Sequence, residues 1–252
     1  ANYHFDRIIY RMIPDTTVRL ANLRSGELDM IERLAATDIK SASADRNLRV
    51  VSTPGIGYQG ANLNHGNGEM ANNPFGKDKR VRQALSLSLD RDVINQVVFE
   101  GTHPPTVQPS PPASPYYMKD LGVPKRDVAK AKELLKAAGV TPPLKLEMMV
   151  TNNPVDAQLG QVMQAMAAEA GFDIQLRSME FASQLRDQQQ GKFQISRVGW
   201  SGRIDPDGNV HTFWTSKGGL NDGKYNNPEV DRLLNEARQV YDLFLAASDN
   251  NP

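Results

Sequence analysis

The sequence contains no cysteine, and this absence excludes several kinds of chemistry. Without a thiol the chain forms no disulfide, no thiolate zinc site and no iron–sulfur cluster, and it has no cysteine nucleophile. The sequence also lacks an excess of either charge, because 29 Lys and Arg residues face 29 Asp and Glu residues. We therefore expect no nucleic-acid partner, since no net positive charge attracts a polyanion. Long apolar runs are missing too, and none approaches the roughly 18 residues that a membrane-spanning helix requires.

The composition that remains is typical of a globular protein. Apolar residues make up 39% of the 252 residues and charged residues 23%. This is enough to build a buried core in one large domain or in two domains of moderate size.

Hydrophobic periodicity and glycine positions predict a mixed α/β fold. After residue 125, three units repeat the order of a helix, a closing glycine and a strand, which indicates an α/β layer with some parallel strands. The predicted strands are residues 5–13, 27–31, 48–53, 58–64, 144–150, 172–179 and 193–200. The predicted helices are residues 16–25, 36–43, 77–88, 93–99, 127–138, 155–170 and 181–190, and a last helix from Asn227-Pro228 with Val230, Leu233, Leu234, Ala237 and Tyr241 facing inward.

Four motifs suggest catalysis or a cofactor, but the residues around each one do not meet the requirements of that motif. Residues 55–60 match G-x-G-x-x-G, but no helix follows to hold a pyrophosphate, which favours a turn. Residues 205–209 lack the glycine and glutamate that an EF-hand needs, and Arg203 stands where a serine elbow needs its second glycine. The four histidines are scattered and form no zinc motif. We predict no catalytic residue, no metal site and no cofactor.

One cluster at the end of a predicted strand has the chemistry of a binding site. It comprises Trp200, Arg203, Asp205, Asp207 and Trp214, with Asn209, His211 and Phe213 among them. Ligands of α/β layers bind at the carboxyl ends of strands, and pockets combine flat apolar walls with a few convergent polar groups. The alternative interpretation is that both tryptophans belong to the core and the charged residues lie in solvated turns.

Several ordered motifs resemble a known family of receptors. Residues 13–29 read Ile-Pro-Asp-Thr-Thr-Val-Arg-Leu-Ala-Asn-Leu-Arg-Ser-Gly-Glu-Leu-Asp and are followed by Asn62-Leu-Asn64, Asn73-Pro-Phe75, residues 78–85, Asp90-Arg91, Gly199-Trp200, Asp205-Pro-Asp207 and residues 225–231. In this succession they resemble the extracellular solute-binding proteins, family 5, of bacterial ABC importers. The resemblance extends over about residues 5 to 242.

The resemblance implies a fold of two lobes that close like a clamshell on a solute. On that pattern the chain has one lobe of a type II periplasmic-binding-protein clamshell with a mixed sheet, plus a partial first lobe. Residues 1–60 would be a remnant of the first lobe, residues 61–237 the second, solute-binding lobe, and residues 238–252 a truncated tail. We expect the chain to be a fragment of a longer periplasmic protein that carries a signal sequence.

The resemblance also implies the partners. They are a small polar, peptide-like solute and an ABC permease of the inner membrane. Peptide-binding members place an Asp, which pairs with the ammonium of the peptide, near the position of Arg203. Arg203 would then contact an anion instead, with Asp205 or Asp207 as an ammonium contact or a brace. The opposing interpretation pairs Arg203 with Asp205 or Asp207, away from solute.

We therefore predict a transport receptor and no enzyme. A hydrolase in the same cleft would release products from a peptide or ester panel, whereas a receptor returns its solute unchanged. A purely structural interaction fragment would retain a protein partner while its full-length form bound no small solute. We expect the chain alone to bind solute weakly and to self-associate through apolar edges left without sheet partners.

Overall fold

The computed structural model describes residues 4–53, 55–112, 114 and 116–249, with side chains described up to residue 240. The helices in these ranges are α1 (Thr16–Arg24), α2 (Ala36–Ala44), α3 (Pro74–Lys77), α4 (Lys79–Ser88), α5 (Arg91–Phe99), α6 (Val128–Ala137), α7 (Pro154–Ala170), α8 (Phe181–Gln189), α9 (Asp207–Trp214) and α10 (Pro228–Asp249). The strands are β1 (Tyr58–Leu63), β2 (Leu144–Thr151), β3 (Phe172–Met179) and β4 (Ile195–Trp200). Within the described ranges, no helix is both long enough and apolar enough to cross a membrane.

The four strands form one mixed sheet in the order β1-β4-β2-β3. β2 pairs in parallel with both β3 and β4, whereas β1 pairs with β4 antiparallel. The predicted α/β layer with some parallel strands is therefore confirmed. Because β2, β3 and β4 run in the same direction, their carboxyl ends meet at one edge of the sheet.

Local sequence signals explain where the helices around this sheet begin and end. Asp90, Asp127 and Asn153 precede α5, α6 and α7, and each side chain accepts a backbone N–H of the first turn. Gly171 ends α7 with a φ of 102°, a left-handed conformation that favours glycine. The helix–glycine–strand units therefore lie where the sequence predicts them.

The main core lies between one face of the sheet and helices α4, α6 and α7. The inward face of the predicted helix in α4 is confirmed, since Val81, Ala84, Leu85 and Ser88 are buried. They pack with buried strand and helix residues that include Leu146, Met148, Val150, Leu159, Ala167, Ile174 and Ile195. Gly160 lets α7 approach closely, because a Cβ there would lie 2.9 Å from Val150 Cγ1. The opposite face of the sheet carries α8, whose buried Gln184 donates to Ser196 and to the Arg197 carbonyl.

The prediction of strands at residues 5–13, 27–31 and 48–53 is wrong. These stretches form no strand, and apolar side chains such as Ile8, Tyr10 and Met12 are largely exposed. A β-branched stretch needs a partner to satisfy its backbone groups, and the described residues supply none here. The predicted helices between them are confirmed as α1 and α2.

The last helix starts where Asn227-Pro228 predicts, but its predicted inward face is only partly correct. Val230 and Leu234 are half-buried, whereas Leu233 is 50% exposed and Ala237 is exposed as well. The fifth predicted inward residue, Tyr241, lies outside the residues whose side chains the structure describes. Helix α10 continues through residues 238–249, the stretch that the sequence assigns to a tail.

Candidate functional site

The candidate site begins where β4 ends at Trp200 and the chain turns through residues 201–206 into α9. The sequence predicts a loop throughout this stretch, and α9 is a correction to that prediction. Its first residues, Asp207, Gly208 and Asn209, are poor helix formers, and Pro206 at the N-cap makes no side-chain cap bond. Tertiary contacts described below hold the helix in place where local propensity does not.

Asn209 is the buried residue that joins the strand end, the loop and the helix. Its Oδ1 accepts hydrogen bonds from Trp200 Nε1 at 2.9 Å and from the Arg203 backbone N–H at 2.7 Å. Its Nδ2 donates to the Arg203 carbonyl at 2.8 Å. One side-chain amide therefore fixes the Trp200 indole and both backbone polar groups of Arg203.

Arg203 lies over the face of Trp200. The guanidinium carbon is 4.3 Å from the centre of the indole, a distance typical of a cation–π interaction. Nη1 donates to the Gly202 carbonyl at 2.7 Å and to Ser201 Oγ at 3.2 Å. Phe213 also contacts Trp200, in a T-shaped arrangement with ring centres 4.9 Å apart. The result is an exposed cation on a partly buried aromatic platform.

The two candidate carboxylates are engaged elsewhere. Asp207 forms an ion pair with Arg238 of α10, with Oδ2 2.5 Å from Nη2 and Oδ1 3.1 Å from Nε. Asp205 Oδ1 accepts the backbone N–H of Asp207 at 2.9 Å. The interpretation in which Arg203 pairs with Asp205 or Asp207 is therefore absent from the described contacts, and no carboxylate balances the guanidinium there.

Trp214 lies apart from this arrangement. It ends α9 and is 41% exposed, and no ring contact joins it to Trp200 among the described side chains. Of the five residues predicted from the sequence, the structure brings Trp200 and Arg203 into contact and places Asp205 and Asp207 at the start of the next helix.

A second loop lies directly against residues 201–203. Gly202 has a φ of 81°, and a Cβ there would be 2.2 Å from the Ile56 carbonyl oxygen. A Cβ on Gly57 would likewise lie 2.4 Å from the Trp200 carbonyl oxygen. The third glycine of the G-x-G-x-x-G match, Gly60, lies inside β1 rather than at the start of a helix. Residues 55–57 form a bend followed directly by β1, so the helix that a dinucleotide motif requires does not follow them, and two of the glycines are explained by close packing.

The sequence prediction missed a buried ion pair between β4 and α7, on the face of the sheet that packs against α7. Arg197 Nη2 is 2.9 Å from Asp156 Oδ1 and 2.8 Å from Gln59 Oε1. Thr151 and Asn153 donate to the second carboxylate oxygen of Asp156. Burial lowers the pKa of Arg197, and the nearby Asp156 carboxylate opposes that shift. The signal available in the sequence was the period of two along β4. Arg197 lies two residues after Ile195 and therefore on the same inward face of the sheet.

A second cluster, in which Arg177 lies 2.9 Å from both Glu147 and Asp187, is more exposed than the Arg197 pair. Burial raises the pKa of Tyr58, which pairs with Trp200 across the β1–β4 ladder. In the described part of the chain, no three His, Asp or Glu residues converge as a metal site would require.

The chain matches a family model described as bacterial extracellular solute-binding proteins, family 5 Middle, over residues 1–221. It belongs to this family. Among curated relatives, it is 30% identical to the oligopeptide-binding protein AppA of Bacillus subtilis, over 95% of this chain and 46% of AppA. It is 28% identical to di/tripeptide-binding protein 3 of Pseudomonas aeruginosa, over 94% of this chain and 45% of that protein.

Solved structures of family members share this fold. The periplasmic binding protein DppA of Helicobacter pylori, in complex with the peptide STSA, matches with a TM-score of 0.81 and 27% identity, over 90% of this chain and 44% of DppA. NikA of Staphylococcus aureus, in complex with Ni(L-His)2, matches with a TM-score of 0.78 and 26% identity, over 89% of this chain and 47% of NikA. The chain thus spans less than half the length of these relatives. Its fold is that of one lobe of a periplasmic binding protein with a mixed sheet.

Proposed function

We propose that the chain is the solute-binding lobe of an ABC-importer receptor that captures a peptide-like or similar small polar solute in the periplasm. Family membership supports a receptor rather than an enzyme, because the named relatives are binding proteins for peptides and for a nickel complex. Residues 61–237 form the second lobe on this proposal, and residues 1–60 belong to the first. The boundary falls near the start of β1, the strand that enters the sheet of this lobe.

The proposed mechanism is closure of two lobes around the solute. Closure is favoured when the solute contacts both lobes only in the closed form, so binding shifts an equilibrium between open and closed states. The closed form is then the state that an inner-membrane permease recognises. The role of this chain is to supply one wall of the cleft.

The observation that carries the proposal is the Arg203 guanidinium lying 4.3 Å above Trp200 at the carboxyl end of β4. A guanidinium offers donors in a planar fork that matches a carboxylate. Asp207 is engaged by Arg238, so the charged groups left for solute here are the Arg203 guanidinium and the exposed Asp205 carboxylate. We assign Arg203 to a solute carboxylate, Trp200 and Trp214 to apolar walls, and Asp205 and Asp207 to bracing the loop, with Asp205 the more accessible to an ammonium.

The test starts from the protein purified from its host in a form with both lobes. Native mass spectrometry identifies the solute that it carries, and calorimetry measures the affinity for that solute. Arg203→Ala should weaken binding by roughly ten- to hundredfold, because a hydrogen-bonded charge contributes about 1.5–3 kcal/mol. Arg186→Ala is the matched control, since Arg186 is an exposed arginine on the neighbouring helix α8.

Blocked peptides separate the carboxylate contact from an ammonium contact. If the solute is a peptide, the N-acetylated form should retain most of its affinity and the C-terminal amide should lose it. Unchanged affinity in Arg203→Ala would exclude the anion role. Release of cleaved products from the bound solute would exclude a receptor.

A further inference from the structure

A concave surface lies at the end of the sheet opposite to Trp200. It is a groove of about 590 Å³ between the ends of α6 and α7 and the loop that leads into β2. This is within the range of about 300–1,000 Å³ that ligand pockets occupy. The groove is lined by Lys132, Lys136, Val140, Thr141, Pro142, Ala168, Glu169, Ala170 and Gly171. Because β2 is eight residues long, roughly 25 Å of strand separates this groove from the site at the end of β4.

The groove carries positive charge that nothing nearby balances. Lys132 and Lys136 lie one turn apart on α6 and both are exposed. Neither forms an ion pair or a side-chain hydrogen bond among the described contacts, whereas Lys130 on the same helix pairs with Glu133. The acidic residue of the groove, Glu169, is paired with Arg126 at 3.0 Å. Two ammonium groups are therefore available to an anionic partner.

The rest of the lining favours a peptide over a simple anion. Helices α6 and α7 both end here, and their last carbonyl groups are already engaged: residues 138–140 and Arg80 donate to those of α6, and Gly171 donates to Ala167 and Ala168 of α7. The lining therefore acts through its side chains. Val140, Pro142 and the alanines of α7 supply an apolar wall for side-chain methylene groups. Acidic side chains and methylene groups occur together in a glutamate-rich peptide, whereas a simple anion offers no methylene groups to the apolar wall.

We infer that this groove is a docking site for an acidic peptide segment of a protein partner, with glutamate or aspartate side chains on Lys132 and Lys136. The inference does not rest on the proposed solute site. The two surfaces lie at opposite edges of the sheet and share no residue, so a partner bound here leaves Trp200 and Arg203 accessible.

The experiment uses the 252-residue chain and an N-acetylated, C-amidated octapeptide of alternating Glu and Ala, labelled for fluorescence anisotropy. The double variant Lys132→Glu/Lys136→Glu should weaken binding at least about tenfold, because it replaces attraction with repulsion. Lys40→Glu/Lys119→Glu makes the same change in net charge at two exposed lysines elsewhere and should bind as the parent does. Added salt should weaken the parent complex.

Two further measurements decide where and what the groove binds. Amide chemical shifts should change at residues 140–142 and 168–171 when peptide is added. The peptide with Gln in place of Glu should bind at least about tenfold more weakly. Equal weakening by both lysine pairs, equal binding of the Gln peptide, or displacement of the peptide by millimolar inorganic phosphate would each overturn the inference.

Discussion

Arg197 is a buried cation whose charge is balanced by a single carboxylate. Only 4% of the residue is exposed, and its Nε has no hydrogen-bond partner among the described atoms. Such a pair contributes little net stability, because desolvation offsets most of the attraction between the two charges. Removing one partner is costly, since the other charge then stays buried without compensation.

We predict that Asp156→Asn lowers the free energy of unfolding by about 3–5 kcal/mol. Urea unfolding followed by circular dichroism measures the loss. Asp120→Asn, at an exposed position, should change stability by less than about 0.5 kcal/mol. Adding Arg197→Met to Asp156→Asn should restore part of the loss, because the uncompensated charge is gone. If the double variant is as unstable as the sum of the two single variants, charge is not the cause.

At the level of residues, the sequence predicted which groups gather at the end of β4 but not how they pair. Trp200 and Arg203 are neighbours along the chain, and their contact needs only a short turn. The pairing of Asp207 with Arg238 joins residues on two helices, one of which was not predicted. Arg197 was missed because its partner, Asp156, is 41 positions earlier and meets it only when α7 packs on the sheet.

The two loops at the sheet edge are packed backbone against backbone. Residue 202 needs both a positive φ and the absence of a Cβ, because the Ile56 carbonyl oxygen occupies that space. Gly139, which follows α6, has a similar φ of 72°, but a Cβ added there would meet nothing within 4 Å. These two glycines separate the effect of strain from the effect of a clash.

We predict that Gly139→Ala lowers stability by about 1–2 kcal/mol, through backbone strain alone. Gly202→Ala should lose about 1–3 kcal/mol more, because the added methyl group also displaces the loop at Ile56. Thermal and urea unfolding of both variants test the difference. Equal losses would show that the 55–57 loop moves aside without cost. Fluorescence of Trp200 should change in Gly202→Ala only.

At the level of elements, local sequence signals were sufficient to predict the strands of the sheet and the helices that cover it. Caps, closing glycines and periodicity placed α4 to α8 and β1 to β4 within a few residues. Helix α9 escaped prediction because its stability comes from contacts outside the helix, those of Asn209 with Trp200 and Arg203 and that of Asp207 with Arg238. The strands expected before residue 54 failed for the opposite reason, since strand-forming residues without a neighbouring strand form no ladder.

At the scale of the whole molecule, the first fifty residues carry a run of large apolar side chains that are exposed. Tyr10 is 85% exposed and Met12 is 96% exposed, with Ile8 and Ile9 beside them. Contiguous apolar surface of this kind favours association with another chain. In the proposed receptor this surface would face the rest of the first lobe.

We predict that the chain self-associates through this surface. Its mean mass in light scattering should rise with concentration, and the triple variant Ile9→Lys/Tyr10→Lys/Met12→Lys should stay monomeric. Met118→Lys, at another exposed apolar side chain, is the control and should associate like the parent. A constant monomer mass for the parent chain at high concentration would contradict the prediction.

Asn209 has a consequence for how the solute preference of this lobe could change. Its amide holds the backbone atoms of residue 203 and the indole of Trp200, so the loop is fixed by contacts that any side chain at position 203 would leave in place, beside those that the arginine itself makes with Trp200, Ser201 and Gly202. In the proposed receptor, the charge that residue 203 presents to solute would then be set by an exchangeable side chain on a fixed loop. A single codon change at this position can reverse the charge of the site while leaving the scaffold intact, which is a short evolutionary path between receptors for differently charged solutes.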